Sequence, residues 1–91
     1  MPDFRLTVQD TFQIRGRGFV VTGNVESGEL SVGQMIQFTS PDGLQHYETK
    51  VLGLEAFHQQ LNRAEAGQNI GILIGGLTHD QIKAGMVVTS R

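Results

Sequence analysis

Asp10 to Gly28 reads DTFQIRGRGFVVTGNVESG, and the fold turns on how that stretch is parsed. Phe12 and Ile14 end one alternating apolar run, and Phe19, Val21 and Val25 form a second. Arg15-Gly16-Arg17-Gly18 lies between them. Two extended runs joined by a short glycine-rich link predict a β-hairpin, with Gly16 and Gly18 supplying the positive φ that a tight link needs. The link carries the one close pair of cations in the sequence, Arg15 and Arg17, on a backbone with little side-chain bulk. Glu26-Ser27-Gly28-Glu29 is the next turn.

Working outward, Leu6, Val8, Phe12 and Ile14 alternate with polar residues, which predicts a half-buried strand from Phe4 to Ile14. On this pattern Phe12 is a core residue. Asp10 falls on the apolar side, and a buried carboxylate needs partners, so a bulge or bend is expected to turn it outward or toward backbone donors. In the second strand Phe19, Val21, Gly23 and Val25 share one face, while Val20, Thr22, Asn24 and Glu26 share the other. Gly23 on the inner face implies a bend or the close approach of another backbone. Gly28 and Gly33 bracket a short segment, and Ile36 and Phe38 point inward from a strand over 35–39. Ser40-Pro41-Asp42-Gly43-Leu44 has the form of a reverse turn, so the chain returns from His46 to Leu54, with a slip in alternation near Gly53 that predicts a bulge. Phe57, Leu61 and Ala64 have helical spacing, but twelve residues ending at Gly67 make a marginal helix. Ile70 to Ile74 reads as a buried strand. Thr78-His79-Asp80-Gln81 matches a capping box and Ala84-Gly85 a stop, predicting one helical turn before a closing strand over 86–89. The pattern predicts an all-β chain: a small closed antiparallel Greek-key barrel of about six strands. Phe19, Val21 and Val25 face Ile36, Phe38 and Ile72 across its core.

Ninety-one residues without a linker, repeat or low-complexity segment make a single domain over 1–91. The 12 glycines with only two prolines suit many tight turns. There is no cysteine, which removes disulfides and thiolate metal sites. No run is long and apolar enough for a signal peptide or membrane span, so a cytoplasmic, non-membrane monomer is the expectation. The net charge of −2, from nine acidic and seven basic residues, argues against general polyanion binding.

The stretch RGRGFVVTGNVESG also resembles the strongest signature of the second, β-barrel domain of translational GTPases, as in elongation factor Tu. The resemblance continues through Ser31-Val32-Gly33, Ala66-Gly67-Gln68-Asn69-Ile70-Gly71 and Ile82-Lys83-Ala84-Gly85-Met86-Val87, roughly from Leu6 to Thr89. It implies the same barrel, with an irregular excursion over 55–66 that makes a loop with one helical turn the expectation there. In elongation factor Tu this domain holds the 3′-terminal adenosine and aminoacyl end of charged tRNA. Carried to matching positions, the RNA-binding pocket uses Asp10, Phe12, Arg17, Thr22, Gln68 and Asn69. In selenocysteine-specific and initiation GTPases the similar barrel is a platform for tRNA ends, ribosomal RNA and the GTPase domain. Gln9 and Gln68 stand where elongation factor Tu typically has glutamates, and Asn24 where it typically has an arginine.

The residues themselves show no enzyme. There is no G-x-x-x-x-G-K-[ST] loop, no cysteine nucleophile and no serine in a nucleophile turn. His46, His58 and His79 are scattered, so neither a metal nor a cofactor is expected. Arg17 suits a phosphate or carboxylate contact, or else it is a solvated arginine or a partner of Asp10 or Glu26. Thr22 reads as an outward strand residue, and Asn69 with Gly67 as a turn former. Three functions stay open: a barrel binding a tRNA 3′ end or ribosomal RNA, or docking on a GTPase or the ribosome; a protein-interaction scaffold; and a domain excised from a larger translational GTPase.

Overall fold

A computed structural model describes residues 3–14, 16, 18–78 and 80–90. The described residues form ten strands and no helix: β1 (Arg5–Thr7), β2 (Asp10–Ile14), β3 (Gly18–Ser27), β4 (Glu29–Ser31), β5 (Met35–Thr39), β6 (His46–Ala56), β7 (Gln59–Leu61), β8 (Arg63–Glu65), β9 (Asn69–Ile74) and β10 (Val87–Ser90). Six of them close a ring in the order β1, β10, β5, β6, β9, β3 and back to β1, with every pairing antiparallel. This is the closed six-stranded barrel read from the alternation. β2 extends the outer edge of β3, β7 folds back on β6, and β4 pairs β8 as a separate ribbon.

The core follows from the inward positions. Phe19, Val21 and Val25 of β3, Ile36 and Phe38 of β5, and Ile70, Ile72 and Ile74 of β9 are all buried in one cluster with Leu6, Phe4 and Val88. The Pro41-Asp42-Gly43 turn forms as expected. Asp42 Oδ1 accepts from Ser40 Oγ and from Leu44 N at 3.0 Å, and these bonds hold its carboxyl below the usual carboxylate range. The slip near Gly53 is a register shift between Val51 and Gly53 against β9.

Closure depends on β1, which must pair on both edges within three residues. Gly23 lies where a Cβ would come 2.5 Å from the Thr7 carbonyl oxygen, and Gly28 where one would come 2.5 Å from Phe4 N. On the outside, Glu26 accepts from Thr7 Oγ1 at 2.7 Å and from Arg5 Nε at 3.1 Å. The Thr7 hydroxyl first, and then Arg5, holds the Glu26 carboxyl below its ordinary value.

Three expectations are corrected. Phe12 is not core but 56% exposed. Between the pairs Leu6↔Val25 and Asp10↔Thr22 the first segment spends three residues (7, 8 and 9) where β3 spends two (23 and 24). One extra residue inverts the faces, so Leu6 and Val8 point inward while Asp10 and Phe12 point out. The bulge thus resolves the misplaced carboxylate and exposes the ring together. The segment 55–66 is not a loop with a helical turn, because β6 pairs with β7 as far as Ala56↔Gln59. The two linking residues, Phe57 and His58, both have positive φ (53° and 63°). Such a two-residue turn is usually Asn-Gly, and for other L-residues the conformation costs about 1–2 kcal/mol each. His79 of the expected helical turn lies outside the described residues, and the described residues 78 and 80–85 form no helix. Gln81 Oε1 does accept from Thr78 N at 2.7 Å, as in a capping box, but the chain then spends its bonds on separate turns, Gln81 N to Thr78 O and Met86 N to Lys83 O. Gly85 N and Val8 O join this segment to the first strand.

Two outcomes test this account. Phe19→Ala removes a ring that is 2% exposed and should cost about 3–5 kcal/mol, a large part of a small domain's stability; a melting temperature within a few degrees of the parent would contradict the inner face. Glu26 has a depressed folded-state pKa, so its contribution is present above the ordinary glutamate pKa and is lost as pH falls through the lower folded value. Melting of Glu26→Gln should therefore lie slightly below the parent at pH 7, and the two curves should converge in acid.

Candidate nucleic-acid interface

The extra residue before Asp10 brings two rows of side chains onto the outer face of β2, β3, β9 and β6. One row is Asp10, Thr22, Gly71 and Glu55, in register across the four strands. The next is Phe12, Val20, Leu73 and Gly53. A sheet face turned to solvent would normally be polar. This one carries a cleft of about 290 Å³ lined by Ile14, Val20, Leu52, Leu61 and Leu73 together with the polar Glu55, Gln60 and Asn62. Val20 is almost wholly buried although it points away from the barrel core, and Leu52 is 50% exposed.

A second, shallower recess of about 180 Å³ adjoins the first, lined by Thr22, Phe57, His58 and Asn69. Glu55 and Gly71 belong to both. Gly71 sets that junction: a Cβ there would meet Val20 Cγ1 at 3.0 Å and Glu55 Cγ at 3.1 Å. Glu55 therefore lies across bare backbone, its carboxylate between the apolar cleft and the polar recess.

The structure brings Asp10, Phe12 and Thr22 onto this one face, with Thr22 Oγ1 3.4 Å from the Asp10 carbonyl oxygen. Asn69 stands at its end, donating from Nδ2 to Asn24 Oδ1 at 2.8 Å and to Gln9 Oε1 at 3.4 Å. Three neutral amides are thus joined at the border of the recess. Gln68 is engaged otherwise: its Oε1 accepts from Glu65 N at 2.7 Å, and its carbonyl accepts from Val25 N at 2.8 Å, so it shapes the turn into β9. Arg17 and Arg15 lie outside the described residues.

Ile14, Val20, Leu52, Glu55 and Leu73 were not among the site residues read from the sequence. For Val20 and Leu73 a signal was present, because Phe19-Val20-Val21 and Ile72-Leu73-Ile74 are unbroken apolar runs, and such runs mark strands covered on both faces. The opposite outer face differs. There Thr7, Val87, Thr39 and His46 align across β1, β10, β5 and β6, and Gln37 Nε2 and Thr39 Oγ1 lie 2.9 and 3.2 Å from His46 Nδ1. Apart from Val87, that row is polar. Among the described residues no three of His, Asp and Glu converge to hold a metal ion.

The family profile of elongation factor Tu domain 2 matches residues 18–89, most of the chain from the start of β3 to the end of the barrel. The chain belongs to the elongation factor Tu domain 2 family.

Proposed function

We propose that this barrel is a non-catalytic translation-factor domain that holds the single-stranded end of an RNA, such as a tRNA 3′ terminus, in the outer cleft. The observation that carries the reading is the cleft itself, a slot on a sheet face in which the apolar side chains of Ile14, Val20, Leu61 and Leu73 stand beside Glu55, Gln60 and Asn62. At about 290 Å³ it is at the small end of ligand sites, which suits one base with its sugar and not a duplex. Val20 and Leu73 offer flat apolar contact to a base, and Glu55 is an acceptor for an exocyclic amine. Asp10, Phe12 and Thr22 share the outer face with the slot, and Thr22 and Asn69, the latter bonded to Asn24 and Gln9, line the adjoining recess. Gln68 contributes by setting the turn that places Asn69. Arg17, between Ile14 and Gly18 in sequence, supplies the cation for a phosphate or carboxylate. With a net charge of −2, recognition rests on shape and base contacts, and its salt dependence is mild.

The test is titration with a short single-stranded RNA ending in CCA, free and aminoacylated, followed by amide chemical shifts. Shifts should cluster on Ile14, Val20, Glu55, Gly71 and Leu73. Arg17→Ala should weaken binding roughly 10- to 100-fold, since a charged hydrogen bond is worth about 1.5–3 kcal/mol, and leave melting unchanged. Gly71→Ala should displace Glu55 and Val20, weakening binding while the variant melts within a few degrees of the parent. Shifts confined to the polar face around Gln37 and His46, or no binding at millimolar RNA, would replace this reading with that of a protein-docking scaffold.

A further inference from the structure

The apolar surface of the outer face continues past the slot toward β5. Val32 and Leu52 line one end of the slot, and Met35 follows on β5, paired with Lys50, the outward neighbour of Leu52 on β6. Val32, Met35 and Leu52 are 42–50% exposed, half of the six large apolar side chains left exposed among the described residues. Single exposed apolar residues are ordinary, but a contiguous group marks a contact surface.

The charges beside this strip say what it contacts. Lys50 and Glu55 lie five residues apart on β6, so regular alternation would put them on opposite faces. The bulge between Val51 and Gly53 shifts the alternation by one, and both side chains are exposed on the outside with Leu52 between them. Ion pairs among the described residues join Arg5 to Glu26, and Arg63 to Glu29 and Glu65; Lys50 and Glu55 enter none of them. β6 thus presents a cation, an apolar side chain and a carboxylate in one line. Such a line is its own complement. Half a turn about an axis through Leu52 and Gly53 sets Lys50 against the partner's Glu55, Glu55 against the partner's Lys50, and Leu52 against the partner's Leu52. A two-fold contact requires one patch to serve both sides in this way. Sheets packed face to face stay within about 30° of alignment, which keeps both charge pairs in reach of long side chains. A polyanion laid on the same strip would be drawn to Lys50 and repelled by Glu55.

We propose that the β6 strip is the contact surface of a two-fold dimer of this chain, and that the dimer closes the slot. The second part alone rests on the RNA reading: Leu52 and Glu55 line the slot, so a second copy seated on them and an RNA end exclude each other. The strip is narrow, which places the dimer among weak interfaces that form at high chain concentration. RNA held by the single chain then dissolves the dimer by mass action.

The experiment is sedimentation equilibrium of the full chain from micromolar to millimolar concentration, where the mass should rise from one chain toward two. Lys50→Glu and Glu55→Lys should each weaken association roughly tenfold or more, because like charges then face each other across the axis. Their equimolar mixture should associate as the parent does, since both pairs re-form with the signs exchanged, a rescue that misfolded variants would not give. A short single-stranded RNA ending in CCA, added to the parent, should return the mass to one chain with one RNA. A parent that stays single at millimolar concentration, or a mixture no more associated than its components, would overturn the dimer and leave the strip to a partner of different sequence. A dimer that persists with RNA bound would overturn the closure alone. If the Lys50→Glu chain stayed single and bound no RNA, the RNA reading and the closure would fall while the mixture still decided the dimer.

Discussion

Everything in this barrel depends on one three-residue strand pairing on both sides. β1 joins β10 to β3, and without it the sheet would keep two open edges, each a row of unpaired backbone groups. Closing a ring forces strands to approach at a fixed tilt and stagger, and here the approach is tight enough that two positions on β3 and its turn accept no side chain. Gly23 gives way to Leu6 and Thr7, and Gly28 to the backbone at Phe4. The glycines of the signature stretch are therefore part of the closure itself. The Thr7–Glu26–Arg5 cluster, exposed and worth little as a surface ion pair, sits over the same seam and favours its register.

Closure also makes the candidate site. β3 is ten residues long, and its outer edge is shared, β1 taking the part near Val25 and β2 the part from Gly18 to Thr22. The chain passes from one duty to the other across residues 7–9, where one extra residue inverts the faces. Without that residue Phe12 and Ile14 would continue the inward pattern of Leu6 and Val8. With it they join Val20 and Leu73 on the outside, and a barrel wall gains a second apolar surface. A single local irregularity both completes the ring and furnishes the slot.

This explains what the sequence made legible and what it hid. Alternation identified the inner face of β3 and β5 because Phe19, Val21 and Val25, and Ile36 and Phe38, sit at every second position and all enter the one core. It misassigned Phe12 because a bulge leaves no mark in an alternating run except a misplaced polar residue, here Asp10. The slot was hidden for the opposite reason: Val20 and Leu73 lie in continuous apolar runs, which announce burial without saying on which side the second cover lies. The β6–β7 hairpin was illegible because its turn residues contradict the usual chemistry, and the pairing of Leu54 and Ala56 with β7 outweighed local preference. Near Thr78 the capping side chain of Gln81 behaved as its motif requires, but the bonds from Gly85 N to Val8 O and from Val8 N to Met86 O held the end of the segment to the barrel in place of a helix.

The electrostatics of the site follow from three amides. Gln9 and Asn24 occupy positions where elongation factor Tu typically carries a glutamate and an arginine, and in this chain both accept hydrogen bonds from Asn69. An opposite-charge pair across two strands would be screened by salt and would draw charged groups toward the recess. A chain of amides keeps the geometric link between the first segment, β3 and β9, because each carboxamide both donates and accepts. What it gives up is the field. Asp10 and Glu55 then remain as the formal charges on the two rows of the outer face, at its opposite edges. On the proposed reading, recognition in the middle of that face is left to hydrogen-bond direction and apolar fit. Such a surface discriminates by the shape and edge pattern of what enters it, which agrees with a chain whose net charge would repel a polyanion held by charge alone.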